Sequence, residues 1–460
     1  MSNRISTDIE RKIVEDFAKE IASKKELGSK PEHTVIEFRN DRKIGKTRPI
    51  YLVPIKLLRF RKDNGRIASD ILSYEKLHGI LDETLETTQD IIRNFLKEKD
   101  TENNTKLKNS VLHSGQNEPA IITCDGFLIN GNRRKMIMEE LKLPTMKVVI
   151  LPNKGEEGGP PTLKEIEQIE NRYQLQSDGK SEYTNFDRAI SIKRKIRAGM
   201  TLEEQLKDDP SLVGLTEKEF KNEMKKYQNQ FLGPLECVDR YLDQLNRTEL
   251  YDNITEGRTD REGRWYSFID YYGFSKQLRN EDGELTQRAI ELGIEDDETG
   301  DIENIAFKII RKKDFPDYKT HEVIRKLPKI LNNKVAKKEL MKIKQISDDL
   351  TKDDYNENDD FRTIDSKWGN KNATIIIGKV KAALNIINHE KERETPLNLL
   401  EDALKKLNHE NMDPEAVLLE KIPEAMKLAR EISKRANDLE HEFYHIEKEN
   451  RNKLKKLSKS

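Results

Sequence analysis

A tight turn followed by two arginines is the part of this sequence best suited to chemistry. Gly131 ends a predicted strand, and Arg133 and Arg134 follow at the start of a predicted helix. Glycine lets the backbone bend at positive φ and approach a ligand, and the first N–H groups of a helix have no intrahelical acceptors. Because the two guanidinium groups add fixed positive charge, the segment predicts an anion cradle suited to phosphate groups.

Three further segments should lie near this cradle. Gly115 and Gln116 occupy a loop between the end of a predicted helix and the start of a strand. Glu170 and Asn171 place an acid and an amide side by side on a helix that a short connection can return to the sheet. Residues 54–63 supply more arginines after another predicted strand. Together they predict a polar pocket rather than an isolated pair of surface arginines.

In this order the segments resemble the N-terminal domain of the ParB family and its wider ParB/sulfiredoxin-like superfamily. The first family box, Gly-x-x-x-Pro-Ile, is matched with slightly altered spacing at 115–121. The second, Gly-Glu-Arg-Arg, is matched by Gly-Asn-Arg-Arg at 131–134, and the third by Glu-Asn-Arg-Tyr-Gln at 170–174. The resemblance covers roughly residues 45–245, and the ordered boxes together are more specific than any one of them.

The resemblance implies nucleotide binding. ParB proteins bind and slowly hydrolyse CTP with Mg²⁺ in this domain, and nucleotide binding closes a dimeric clamp on DNA. By motif position, Gly131, Arg133 and Arg134 would hold the triphosphate, and Gly115 and Gln116 would line the nucleotide pocket. The contacts that would select cytosine cannot be located, so CTP or another nucleoside triphosphate is expected.

The resemblance also implies catalytic roles and sets limits on them. Glu170 would hold Mg²⁺ or position water, and Asn171 would contact phosphate. In the nucleotide-binding set, Asn132 replaces the family glutamate, so an acid near the phosphates is missing and we expect weak or absent hydrolysis. The second box also lacks the catalytic cysteine of sulfiredoxin-type members, which argues against that activity.

Composition favours several small helical units with charged outer faces. The 460 residues are 34% hydrophobic and 37% charged, with a formal net charge of −1, so any nucleic-acid surface must be local. Two cysteines fit a reducing compartment. The chain has no apolar run of signal-peptide type and none approaching eighteen residues, so we expect a cytoplasmic protein without a membrane partner.

The expected fold class is α+β: a ParB/sulfiredoxin-like domain with a small mixed sheet and helices, followed by predominantly α-helical domains. Capping boxes predict helix starts at Thr162, Thr201 and Thr216. The expected segments are an N-terminal helical arm at 1–30, the nucleotide-binding domain at 31–200, a helical domain that could hold a helix-turn-helix at 201–280, an acidic linker at 281–303, a basic helical segment at 304–346, a second acidic linker at 347–365 and a C-terminal helical domain at 366–460.

The basic segment is the best candidate for contact with DNA. Between residues 308 and 344 there are thirteen Lys or Arg and four Asp or Glu, a net charge of +9. The alternative is a solvated linker helix balanced by the flanking acids. The candidate DNA-binding side chains are Lys326, Lys329, Lys334, Lys337 and Lys338.

A helix near the end of the chain carries two competing patterns. His441 and His445 form an H-E-x-x-H zinc motif, but few residues follow it and the apolar seam of the helix points away from both histidines. That seam steps by three and four residues and could join two chains or pack on residues 397–407. Its residues are Ala429, Ile432, Ala436, Leu439, Phe443 and Ile446.

The sequence therefore predicts a nucleotide-gated DNA-binding protein that acts in DNA partition, regulation or defence. It would bind CTP or another nucleoside triphosphate with Mg²⁺, could hydrolyse it slowly, and could form a homodimer. One alternative is an enzyme of the same fold, a nuclease or an ATP-dependent kinase. A second alternative is an interaction scaffold whose nucleotide site is degenerate.

Overall fold

Short apolar strands and amphipathic helices alternate through the first part of the chain. The computed structural model describes residues 10–175, 184–207, 209, 212, 214–251, 254, 264–280, 282–351, 354–356 and 359–457. The elements up to residue 175 are α1 (Glu15–Lys24), β1 (His33–Thr34), α2 (Asp41–Ile44), β2 (Arg48–Pro49), β3 (Tyr51–Pro54), α3 (Ala68–His78), α4 (Glu86–Glu98), α5 (Thr101–Ser114), β4 (Ala120–Ile122), β5 (Leu128–Asn130), α6 (Asn132–Glu140), β6 (Thr145–Ile150) and α7 (Leu163–Leu175).

The remaining described elements are all helical. They are α8 (Asn185–Arg197), α9 (Leu202–Lys207), α10 (Glu217–Tyr227), α11 (Gly233–Gln244), α12 (Trp265–Ser275), α13 (Gln287–Glu291), α14 (Glu298–Lys312), α15 (Thr320–Arg325), α16 (Leu327–Asn332), α17 (Lys334–Met341), α18 (Phe361–Lys371), α19 (Ala373–Leu407) and α20 (Ile422–Leu457). The coarse prediction of an α+β chain that is mostly helical, with small sheets, is confirmed.

Four strands form a mixed sheet in the order β3-β6-β4-β5. β6 pairs antiparallel with β3 and parallel with β4, and β4 pairs antiparallel with β5. Ala120 and Ile122 face one apolar cluster, which includes residues of α3 to α6, while Ile121 faces a second cluster that includes Ile166 and Ile169 of α7. Because side chains alternate across a strand and both faces are covered, β4 is apolar throughout.

The three predicted capping boxes are confirmed. The Thr162 amide donates to the Glu165 carboxylate at 2.9 Å, and the Glu165 amide donates to the Thr162 hydroxyl at 3.2 Å, at the start of α7. The same reciprocal pairs open α9 and α10, at Thr201 with Glu204 and Thr216 with Glu219. Local hydrogen bonding therefore fixes these helix starts, as the sequence indicates.

The N-terminal helix is packed against the sheet domain and is not a free arm. α1 begins at Glu15, and the residues just before it are bound to the sheet domain, since the Val14 amide and the Arg11 guanidinium both donate to the Asp125 carboxylate. Ile21 is buried in the same cluster as Ala120. Of the expected helical arm at 1–30, the described residues thus include a helix, and that helix packs on the sheet domain.

Neither predicted acidic linker is a free connection. Residues 281–303 include α13 and the first turns of α14, and they bury Ala289, Leu292 and Ile302 in the largest apolar cluster. The acids lie on the outer faces of these helices, so the acidic composition reflects solvated helix faces and not a free linker.

The second predicted linker contains a fully buried acid, Asp365. Its carboxylate accepts from Arg247 at 2.9 Å and from Arg311 at 2.8 Å, with Arg264 3.5 Å away. Burial opposes ionisation, but the three guanidinium groups outweigh it and lower the pKa of Asp365. Asp365 thus binds three arginines of the helical region, and this end of the segment is part of the packed structure.

The chain divides into two compact units, residues 1–387 and 388–460. The boundary lies inside α19, not at the predicted residue 366, because Trp368, Val380 and Leu384 still belong to the large helical cluster. α8 contributes Phe186 and Ile190 to that cluster too, so the predicted boundary at residue 200 does not separate two cores.

Candidate anion site at the start of helix α6

The turn between β5 and α6 has the predicted geometry. Gly131 has φ 104° and ψ 8° and lies immediately before the helix. A Cβ atom at this position would come within 2.6 Å of the Ala120 Cβ on β4. Glycine is therefore required twice, for its backbone angles and for close packing on the neighbouring strand.

The first residue of the helix carries an unpaired polar atom. Asn132 is 9% exposed, and its side-chain oxygen has no hydrogen-bond partner. Buried polar atoms are paired in almost all folded proteins, because leaving one unpaired costs about 1–3 kcal/mol. The amides of the first helical turn point in the same N-terminal direction, so this end of α6 offers both donors and a buried acceptor.

The two arginines lie beside this turn and contact protein groups. Arg133 donates from Nε to the Asn104 side-chain oxygen at 2.8 Å, and its Nη2 is 3.8 Å from the Asp100 carboxylate. Arg134 donates to the Glu118 carbonyl, and its Nη2 is 3.6 Å from the Glu118 carboxylate. Burial lowers the pKa of Arg134, and the Glu118 charge opposes this effect. A phosphate would have to compete with these acidic partners.

A third cation of the same helix is buried away from solvent. Lys135 is 2% exposed, with its ammonium 3.8 Å from the centre of the Phe60 ring and 2.5 Å from the Glu139 carboxylate. Burial lowers the pKa of Lys135 to about 8, although Glu139 acts in the opposite direction. α6 therefore concentrates positive groups, of which Lys135 is the most easily neutralised.

Gly115 and Gln116 have structural roles near the same strands. Gly115, at φ 70°, ends α5, and a Cβ there would meet open space. Gln116 pairs its amide with the backbone of Lys147, accepting from the N–H at 2.7 Å and donating to the carbonyl at 2.7 Å. It also donates to the Glu118 carbonyl, which Arg134 shares. The structure thus brings Gln116 and Arg134 together at the Glu118 carbonyl. Both ends of the Gln116 amide are already hydrogen-bonded to backbone groups.

Glu170 and Asn171 contact different neighbours. Glu170 accepts from the Gly65 amide at 2.9 Å, and Arg61 lies 3.9 Å from its other oxygen. Asn171 donates to the Gln205 carbonyl at 3.2 Å and accepts from Lys195 at 3.1 Å. The Asn171 amide therefore links α7 to α8 and α9 through hydrogen bonds. This arrangement does not fit the expected contact with phosphate.

The surroundings of Glu170 do not fit a Mg²⁺ ligand as they are arranged. Its carboxylate already meets an amide and a guanidinium, and the positive charge of Arg61 would repel a metal ion. In the part of the chain that the structure describes, no three His, Cys, Asp or Glu side chains are grouped to hold a metal, and this includes His441 and His445. We therefore derive no catalytic step through a metal.

The sequence did not reveal the charged network around Arg61. The buried Arg61 lies 3.5 Å from Glu167, which also accepts from Arg194 at 3.2 Å, and Arg194 donates to Asp63 at 3.3 Å. The arginines of 54–63 stand out in the sequence as a group, but their acidic partners on α7 lie about a hundred residues later. The network joins the loop after β3 to α7 and α8.

The predicted DNA-binding lysines fall into two groups. Lys337 donates to the Gly293 carbonyl at 2.8 Å and the Glu298 carboxylate at 2.6 Å, and Lys326 lies 4.2 Å above the Tyr318 ring. Lys329, Lys334 and Lys338 are exposed. Of the basic residues behind the +9 balance, Lys308 and Arg311 are buried. The basic surface is therefore smaller than the sequence indicated.

A cavity of about 510 Å³ lies beside α17. Its lining combines apolar side chains with charged ones of both signs. They include Leu292, Leu331, Met341, Lys334, Lys337, Lys338, Glu291 and Glu298. The two glutamates offset part of the lysine charge, and Glu298 is already bound to Lys337.

Comparisons with models of known protein families, with curated proteins and with solved structures found no match to this chain. Among the described helices, none is both long enough and apolar enough to cross a membrane.

Proposed function

We propose that this chain binds a nucleoside triphosphate at the start of α6 and acts as a nucleotide-gated DNA-binding protein of ParB type. The observation that carries the proposal is the buried, unpaired oxygen of Asn132 beside the left-handed turn at Gly131. A ligand that donates a hydrogen bond to this oxygen would remove the cost of leaving it unpaired. The adjacent helix amides and arginines favour a ligand that also carries negative charge.

Binding would require the arginines to exchange partners. Triphosphate oxygens would replace Asp100 and Asn104 as acceptors for Arg133, and the Glu118 carboxylate for Arg134. Since Asp100 and Asn104 belong to the start of α5, this exchange would release a contact between α5 and α6. Such a release is a physical route by which nucleotide could alter the rest of the domain, and hence its affinity for DNA.

The proposal concerns binding more strongly than hydrolysis. Asn132 stands in place of an acid, and Glu170 is held by the Gly65 amide beside Arg61. Neither residue is placed as a general base by its contacts. We therefore expect slow turnover, or none, of CTP or another nucleoside triphosphate, with any Mg²⁺ accompanying the phosphates.

Calorimetric titration tests the proposal. ATP, GTP, CTP and UTP are each titrated with Mg²⁺, with and without duplex DNA, into the wild type, Arg133→Ala and Arg240→Ala. Arg240 is the control because it is paired to a carboxylate, that of Glu303, on the helical part of the chain. Arg133→Ala should weaken binding by about 10- to 100-fold, the usual effect of losing a charge-assisted hydrogen bond, and Arg240→Ala should not.

Wild-type protein that binds none of the four nucleotides would contradict the proposal. It would favour the second candidate, an interaction scaffold with a degenerate site. The observation behind that candidate is that Arg133, Arg134 and Asn171 already contact protein groups. Thermal unfolding of each variant separates a loss of binding from a loss of folding.

A further inference from the structure

Helix α20 exposes an apolar seam along much of its length. Ile432, Phe443 and Ile446 leave 46%, 43% and 56% of their surface exposed. Among the side chains that the structure describes, none after Leu384 is buried. A long helix gains most of its stability in a protein from covering an apolar face, so an uncovered face of this kind indicates a missing partner.

The seam follows a heptad pattern through three and a half repeats. From Ile422, where the helix begins, apolar residues recur at alternating steps of three and four up to Ile446. The positions are Ile422, Ala425, Ala429, Ile432, Ala436, Leu439, Phe443 and Ile446. This is the pattern of a helix that packs on another helix in a coiled coil.

The other helix of the same unit does not cover the seam. Leu397, Leu400, Leu404 and Leu407 of α19 also recur at steps of three and four, and they are themselves between 36% and 60% exposed. The packing of α20 on residues 397–407, which the sequence left open, is therefore absent from the described side chains. Among the described side chains of residues 388–460, none covers the seam.

We propose that two copies of this chain pair through α20 as an antiparallel coiled coil. Side-chain size is the first reason. A two-fold axis between residues 437 and 438 places Ala436 opposite the partner's Leu439 and Ala429 opposite the partner's Ile446, so a small residue meets a large one. Parallel pairing would place each of these alanines against its own copy and leave space in the core.

Charge beside the seam is the second reason. Antiparallel pairing brings Arg435 opposite the partner's Glu442, and symmetry repeats this attraction. Parallel pairing would also bring Arg435 near the partner's Glu440, but it would place Glu442 against the partner's Glu447. Exposed ion pairs contribute little energy, about 0.2–1 kcal/mol each, so they select orientation and the apolar seam supplies affinity. The inference does not depend on the nucleotide site.

The mass of the full chain in solution tests the dimer. Light scattering after size-exclusion chromatography should give twice the chain mass for the wild type. Phe443→Asp places a charge in the seam and should give the monomer mass, whereas Tyr444→Asp, one residue away on the outer face and 58% exposed, should stay dimeric. A monomeric wild type, or a dimer that Phe443→Asp does not weaken, would overturn the proposal.

Distances between spin labels test the orientation. The native cysteines, Cys124 and Cys237, are buried, so single labels can be placed on the exposed side chains of Lys427→Cys and Lys434→Cys. At 1.5 Å per residue, antiparallel pairing offsets the two labels along the axis by about 10 Å at position 434 and about 32 Å at position 427. The measured distance should therefore be clearly longer at 427. Equal distances at the two positions would mean parallel helices and would reject the antiparallel arrangement.

Discussion

The pKa of Lys135 shows how strongly burial changes the charge state of one side chain in α6. Arg133 and Arg134, immediately before it, reach acidic partners near the surface, whereas the Lys135 ammonium lies over Phe60 in the core of the sheet domain. Burial lowers the pKa of Lys135 to about 8. The unfolded chain therefore holds more protons at this group than the folded chain between pH 8 and about 10.5.

This difference predicts that the contribution of Lys135 to stability rises with pH through that window. Because the folded-state pKa is below the unfolded value, deprotonation favours the folded state, by roughly 3 kcal/mol over the full window at 1.36 kcal/mol per pKa unit. Lys135→Met should remove the rise, and Glu139 keeps Arg93 as a partner at 3.0 Å. The measurement is the free energy of unfolding in urea at several pH values from 7.5 to 10.5. Parallel curves for wild type and Lys135→Met would contradict the assignment.

At the scale of elements, the packing of β4, β5 and α6 depends on the close contact between Gly131 and Ala120. Gly131 lets the start of α6 pack directly on Ala120 of β4, so the candidate site is built where a helix and a strand nearly touch. The sequence predicted the turn and the helix start. It did not predict the contact with Ala120, which lies eleven residues earlier.

Gly131→Ala should therefore be more damaging than an ordinary glycine substitution. A left-handed backbone costs an L-residue about 1–2 kcal/mol, and overpacking adds about 1–3 kcal/mol. Gly45→Ala is the matched control, since Gly45 has φ 67° at the end of α2 and open space around a Cβ. Urea unfolding should show a loss of roughly 2–5 kcal/mol for Gly131→Ala and only the smaller backbone cost for Gly45→Ala. Equal losses would show that the contact with Ala120 is easily relieved.

At the scale of the molecule, many of the cations that the structure describes already pair with carboxylates. The chain is nearly neutral overall. In the basic segment, Lys308 and Arg311 are buried, and Lys337 is paired with Glu298. Lys334 and Lys338 are left exposed one turn apart on α17. They are the residues from which contact with a phosphate backbone is best tested.

Replacing Lys334 and Lys338 with glutamine should reduce the salt dependence of DNA binding. Each lost phosphate contact changes the slope of log K against log salt by about 0.9, so the double variant should be shallower by about 1.8. The control is Lys19→Gln with Lys154→Gln, outside the segment expected to hold a helix-turn-helix, which makes the same charge change at exposed lysines paired with Asp16 and Glu15. Fluorescence anisotropy at several salt concentrations measures the slopes. An unchanged slope for the α17 variant would exclude this surface.

The sequence by itself determined the features that depend on neighbouring residues. The three capping boxes and the left-handed glycine before α6 follow from interactions within a few positions of the chain. The heptad seam of α20 is of the same kind. The coarse fold class, α+β and mostly helical, and the turn and helix start around Gly131 could therefore be predicted.

Only the tertiary structure decided which charged groups meet. Glu170 lies 3.9 Å from Arg61, and Asp365 accepts from Arg247 and Arg311, which are 118 and 54 positions away, so no local pattern could predict these pairs. The prediction of acidic linkers at 281–303 and 347–365 failed for a related reason. A helix with acids on one face and Ile302 and Ile305 on the other has the composition of a linker, and only packing against other helices shows which face is buried.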